Sequence, residues 1–158
     1  MCLLLDVNAF SPFFESSNSD HQNFKDAMIW VTKGDGKLIY GGAKYNEELK
    51  NTAKYLRIFA ALEKAGKVVR LNDKSVNALQ EKIEEIETSR DFDDPHLIAI
   101  VCESKCRIVC TNDRRAIPYI KDNKFYPSPL RKPKIYRYKR HKTMLTDANI
   151  VEICRCGA

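Results

Sequence analysis

The sequence predicts an α/β protein: a three-layer α/β/α sandwich around a central, mostly parallel sheet of about five strands. Three observations predict it. Short apolar runs alternate along the chain with longer stretches of helical periodicity. Runs such as Cys2-Leu3-Leu4-Leu5 are too uniformly apolar to keep one face in water, which marks strands buried on both sides. Glycine and proline punctuate the junctions, and right-handed crossovers then place helices on both faces.

The elements follow in order. Cys2 to Leu5 forms the first strand, and Ser11-Pro12 starts a helix with proline in its first turn. Phe24, Ala27, Met28 and Val31 recur at helical spacing, so a helix covers Asn23 to Val31. The turn Lys33-Gly34-Asp35-Gly36 leads into a second strand, Lys37 to Tyr40. Gly41-Gly42 breaks the chain before one long helix from about Lys44 to Ala65, with Gly66 as its C-terminal cap. Val68 to Leu71 is the third strand. Asn72 or Asp73 caps a helix whose Val76, Leu79, Ile83 and Ile86 share a stripe. Asp94-Pro95 opens another helix. Ile108 to Thr111 is the fourth strand, Arg114 to Lys121 a short helix, and Lys134 to Tyr138 the fifth strand. Residues 1–141 thus form one domain. Residues 142–158 form a tail to which the pattern assigns no structure.

The 158 residues are enough to bury a core, and 44% hydrophobic with 30% charged residues excludes a disordered chain. No apolar run approaches the ~20 residues of a membrane span. No basic segment followed by an apolar stretch opens the chain, so a cytoplasmic protein with no membrane association is expected. Of six cysteines, Cys102, Cys106 and Cys110 read as small core residues in a reducing compartment. Cys154 and Cys156 form a C-x-C, with no second close pair to complete a zinc site.

The net charge is +6, and residues 131–142 hold seven Lys/Arg and no acid. Basic residues interleaved with tyrosines suit a phosphate backbone and unstacked bases. The same residues also suit an edge strand whose cations block sheet-to-sheet aggregation. Three acids stand where strands and helices meet. Asp6 closes the first strand, Asp94 opens the helix before the fourth strand, and Asp113 follows the fourth strand. In parallel α/β sheets, ligands bind beyond the carboxyl ends of the strands. Carboxylates gathered there without His or Cys suit a hard cation, Mg²⁺ or Mn²⁺. Asp94 reaches that edge only if the tertiary arrangement brings it there. His96 reads as a helix-surface residue, and His21 and His141 have no evident catalytic partner. The chain has neither a G-x-x-x-x-G-K-[ST] phosphate loop nor a G-x-S-x-G elbow. A phospho-receiver would need paired acids at the first strand, where Asp6 stands alone.

Three motifs in order resemble those of PIN-domain nucleases: Leu3-Leu4-Leu5-Asp6-Val7-Asn8-Ala9-Phe10, Asp91-Phe92-Asp93-Asp94-Pro95-His96-Leu97-Ile98-Ala99, and Ile108-Val109-Cys110-Thr111-Asn112-Asp113. The likeness spans about Met1 to Tyr138. It implies a PIN-like fold and a metal-dependent endoribonuclease. Its acidic site would comprise Asp6, Glu48, Asp94 and Asp113, with Asp6, Asp94 and Asp113 as the metal ligands. The family carries a glutamate on the helix after the second strand. Glu47 and Glu48 both lie there, and Glu48 is favoured because it directly precedes a leucine. Asp91 and Asp93 compete with Asp94, which Pro95 favours as the helix-starting residue. Asn8 and Thr111 would hold carboxylates by hydrogen bonds. Asn8 equally suits a cap or turn. Arg114, Arg137, Lys139 and Arg140 would contact RNA. The resemblance extends to VapC-type toxins, which implies a cognate antitoxin and a homodimer. Other settings are a PIN-like nuclease of RNA processing or antiphage defence in a larger complex, and a non-catalytic PIN-like module binding nucleic acid or protein. The basic, tyrosine-rich strand and the tail lie outside the shared motifs.

Overall fold

The computed structural model describes residues 2–149 and 151–155. Its centre is a five-stranded, all-parallel sheet of β1 (Cys2–Leu5), β2 (Lys37–Tyr40), β3 (Val68–Arg70), β4 (Ile108–Cys110) and β5 (Lys134–Tyr136), in the order β3-β2-β1-β4-β5. Helices α1 (Phe10–Phe14), α2 (His21–Thr32), α3 (Ala43–Lys50), α4 (Ala53–Lys64), α5 (Asp73–Ile86), α6 (Pro95–Ser104), α7 (Ala116–Ile120) and α8 (Glu152–Arg155) surround it. The result is the expected α/β/α sandwich. Among the described residues no helix is long and apolar enough to cross a membrane.

The central strands explain the uniform apolar runs. Every residue of β1 and β4 is buried, because α6 packs against β1 and helices cover the other face as well. The edges are wetter: Arg70 of β3 and Lys134 of β5 are exposed. Lys134 therefore does guard an open edge. Tyr136 is fully buried and belongs to the core, so it is not available to stack a base.

Several boundaries differ from expectation. The long helix over 44–65 is two helices, α3 and α4, broken at Asn51-Thr52. Thr52 leaves helical geometry (φ −123°, ψ 76°), and its hydroxyl bonds the Leu49 carbonyl at 2.9 Å, competing with the backbone ladder. The helix expected to start at Ser11-Pro12 begins at Phe10, after a 3-10 turn over Val7–Ala9. The third, fourth and fifth strands stop at Arg70, Cys110 and Tyr136, and α7 starts at Ala116. Other local signals held. Asn72 caps α5 by accepting from Lys74 N–H at 2.9 Å and Ser75 N–H at 3.2 Å. Gly66, at φ +70°, closes α4 in a Schellman motif: Gly66 N–H bonds Glu63 O and Lys67 N–H bonds Leu62 O. Gly42 sits at φ +88°, where a Cβ would lie 2.6 Å from Val76 Cγ1, so glycine alone fits the turn into α3.

The described part of the tail, to which the pattern assigns no structure, is packed on the domain. It forms 3-10 turns over Lys139–Met144 and Asp147–Asn149 and then α8, and Asn149 and Cys154 are buried. Cys154 is disulfide-bonded to Cys2 across 152 positions, with the Cα atoms 6.0 Å apart. This pairing was not expected. The C-x-C partner Cys156 lies outside the described residues. Cys106 and Cys110 are free, buried thiols, as their reading as core residues requires, and Cys102 is half-buried.

Candidate acidic site

The strand order fixes where a site can be. From β1 the chain builds outward through β2 and β3, then returns to the other side of β1 for β4 and β5. The crevice at such a reversal opens beyond the carboxyl ends of β1 and β4. Leu5 pairs with Cys110 there, so the next residues, Asp6 and Thr111, lie side by side.

A hydrogen-bonded frame holds them. Asp6 is 4% exposed, and its carboxylate accepts from Thr111 Oγ1 at 2.7 Å and Asn8 Nδ2 at 2.6 Å. Thr111 Oγ1 in turn accepts from Asp113 N–H at 3.0 Å. Asn8 Oδ1 accepts from Asn112 N–H at 3.0 Å, and Arg137 Nε donates to Asn112 Oδ1 at 3.2 Å. Asn8 is thus both a turn residue and the bridge between the two strand ends. Thr111 links Asp6 to Asp113.

Helix polarity supplies the other two acids. A helix connecting parallel strands runs antiparallel to them, so its N-terminus sits at the strands' carboxyl edge. Asp94 is the N-cap of α6, which leads into β4, and it makes no side-chain capping bond. Asp91 and Asp93 are exposed, whereas Asp94 is half-buried. On α3, Tyr45 is buried and its hydroxyl donates to Leu5 O at 2.5 Å, directly before Asp6. Glu48, one turn on, shares that inward face, while Glu47 is exposed.

The charges interact. Burial pushes the Asp94 carboxyl up to about 6, and the charges of Asp6, Glu48 and Asp113 add to the rise against the opposing effect of His96. Burial also raises Asp6, partly offset by its bonds from Thr111 and Asn8. Burial would raise Glu48, but His96 and Lys44 outweigh it and hold the carboxyl below its usual range. Lys44 Nζ lies 3.6 Å from Glu48 Oε1, and Arg115 Nε lies 3.8 Å from Asp113 Oδ1. Among the described residues no three His, Cys, Asp or Glu side chains form a ready-made ligand set for an ion. The donor chemistry, carboxylate oxygens at a partly buried crevice, nevertheless suits Mg²⁺ or Mn²⁺.

His96 is a correction. It is 1% exposed, not on the surface, and its Nε2 lies 3.4 Å from Glu48 Oε2. A signal existed: Pro95 to Val101 is apolar on every side, so its helix has no wet face for a histidine to occupy. The basic residues divide. Arg114, Lys139 and Arg140 are exposed and Arg137 is half-buried. The guanidinium groups of Arg137 and Arg140 lie 5.4 Å and 4.9 Å from the Tyr138 ring. Since β5 is parallel to β4, the chain leaves Tyr136 at the carboxyl edge, where Arg137 reaches Asn112.

The fold and site together define a parallel α/β sandwich with an acidic crevice at its topological switch point. No protein-family model, curated protein or solved structure matches the chain.

Proposed function

We propose that the protein is a metal-dependent endoribonuclease of the PIN-domain type. The observation that carries this reading is that the half-buried Asp94 carboxyl, which burial pushes up, feels the charges of Asp6, Glu48 and Asp113 as well, with Asp113 lining the same cavity as Asp94. Mutually repelling acids at the ligand-binding edge of a sheet are most simply explained by a cation that they share. Asp6, Asp94 and Asp113 would hold Mg²⁺ or Mn²⁺, which when bound acidifies water and offsets charge on a phosphodiester. Thr111 and Asn8 hold Asp6 at one orientation. Glu48, half-buried on α3, would orient the attacking water. Arg114, Arg137, Lys139 and Arg140 lie at or just beyond the same edge and would grip the RNA backbone, with Tyr138 offering a ring for a base. RNA as substrate, and a toxin with its antitoxin and homodimer as the setting, rest on the motif resemblance alone.

A second reading is a non-catalytic module that binds nucleic acid through the basic segment. It is favoured by the pairing of Glu48 and Asp113 with Lys44 and Arg115. Incubating purified protein with a long single-stranded RNA and Mg²⁺ or Mn²⁺, beside EDTA and Asp6→Asn controls, separates the two. The nuclease reading expects metal-dependent cleavage that Asp6→Asn abolishes while RNA binding persists. Folded protein that binds RNA but neither cleaves it nor binds Mn²⁺ would favour the module.

A further inference from the structure

We propose that His96 is the positioning residue that fixes Glu48 in the crevice; the proposal rests on the nuclease reading above. His96 is 1% exposed, on the helix that Asp94 caps, and neither ring nitrogen has a hydrogen-bond partner among the described residues. Leaving an imidazole unbonded in a core is unfavourable, a cost that an apolar side chain of similar size would avoid. What His96 gains is an acidic neighbour: Nε2 faces Glu48 Oε2 at 3.4 Å, within ion-pair distance though not aligned as a hydrogen bond, and the imidazole's charge is felt by Asp94 and Asp6 as well. The edge of the Tyr45 ring packs on the imidazole, with centroids 6.4 Å apart, and Tyr45 is itself tied to Leu5 O. Tyr45, Glu48 and His96 thereby join α3 to α6 and to the end of β1.

Glu48 has a cation or base at each oxygen, and their environments decide which one orients it. Lys44 is 45% exposed, and a flexible ammonium in water holds a carboxylate only weakly. His96 is buried, so its contact with Glu48 is less screened than that of Lys44. It therefore sets the Glu48 rotamer through Oε2. Residues that orient the groups around a metal centre typically alter affinity or turnover about 10–100-fold when removed.

The test uses full-length wild type, His96→Leu, His96→Gln, Glu48→Gln and the double variant His96→Leu/Glu48→Gln. Kinetics on the RNA that wild type cuts are measured together with Mn²⁺ binding and urea unfolding in EDTA. Expected for His96→Leu is a kcat about 10–100-fold lower with KM within about twofold. His96→Gln, which keeps an N–H near Nε2, should recover most of the loss. The double variant should be no slower than Glu48→Gln alone. A kcat for His96→Leu within about twofold of wild type, no rescue by glutamine, or multiplying losses would overturn the proposal. If wild type neither cleaves nor binds Mn²⁺, the nuclease reading fails by itself. The unfolding cycle then decides the contact: non-additive losses sustain it and additive losses overturn it.

Discussion

Replacing Asp94 by asparagine should stabilise the metal-free protein at neutral pH, although it removes a helix-capping acid. The folded Asp94 carboxyl is pushed from 3.8 to about 6 by burial and by Asp6, Glu48 and Asp113. The folded state therefore holds this proton more tightly than the unfolded chain. Its contribution is favourable below 3.8, falls as pH rises from 3.8 to about 6, and is a full penalty above that. Taken whole, the rise corresponds to about 3 kcal/mol. Asp94 is only half-buried, and solvent screening reduces this to about 1.5 kcal/mol. The change forfeits the carboxylate's interaction with the α6 dipole, about 0.5 kcal/mol. It loses no capping bond, because Asp94 makes none and asparagine is an equally good N-cap. The net expectation is about 1 kcal/mol, or roughly 2–4 °C in Tm for a chain of this size. Thermal melts of wild type and Asp94→Asn in EDTA, from pH 4.5 to 7.5, check it. The variant should gain on wild type as pH rises. On the proposed metal site, Mn²⁺ at pH 7 should narrow or reverse the order, because the wild-type carboxylate would bind the ion more tightly than the amide. Equal pH slopes for the two proteins, or a variant less stable at pH 7 in EDTA, would refute the reasoning.

Two further outcomes follow from the frame and the basic edge. Thr111→Val removes the 2.7 Å bond to Asp6 and the acceptor of Asp113 N–H in a fully buried position, so it should destabilise by about 1–3 kcal/mol in urea unfolding and lower cleavage as Asp6 loses its orientation. Neutralising Arg137, Lys139 and Arg140 together should weaken RNA binding and flatten its salt dependence by about two to three ion contacts, measured by titration at several salt concentrations. An unchanged slope would place the RNA elsewhere.

The sequence by itself determined the fold class, because a strand buried on both faces must be apolar throughout and a helix must show its stripe. That rule read β1, β4 and α5 nearly to the residue. It also determined which acids stand at element ends, since an acid there cannot be filling the core. Local competition was less legible: Thr52 breaks a helix that hydrophobic periodicity alone would continue, because its hydroxyl bonds the backbone. Only the tertiary structure decided what meets what. Asp6 and Thr111 become neighbours through strand register, and Asp94 and Glu48 arrive because crossover helices run antiparallel to the sheet. The inward face of α3 separates Glu48 from Glu47, and burial separates Asp94 from Asp91 and Asp93. The Cys2–Cys154 disulfide and the His96–Glu48 contact join residues 152 and 48 positions apart. A pattern of local period carries no information about such pairs, because chain packing, not spacing, brings them together.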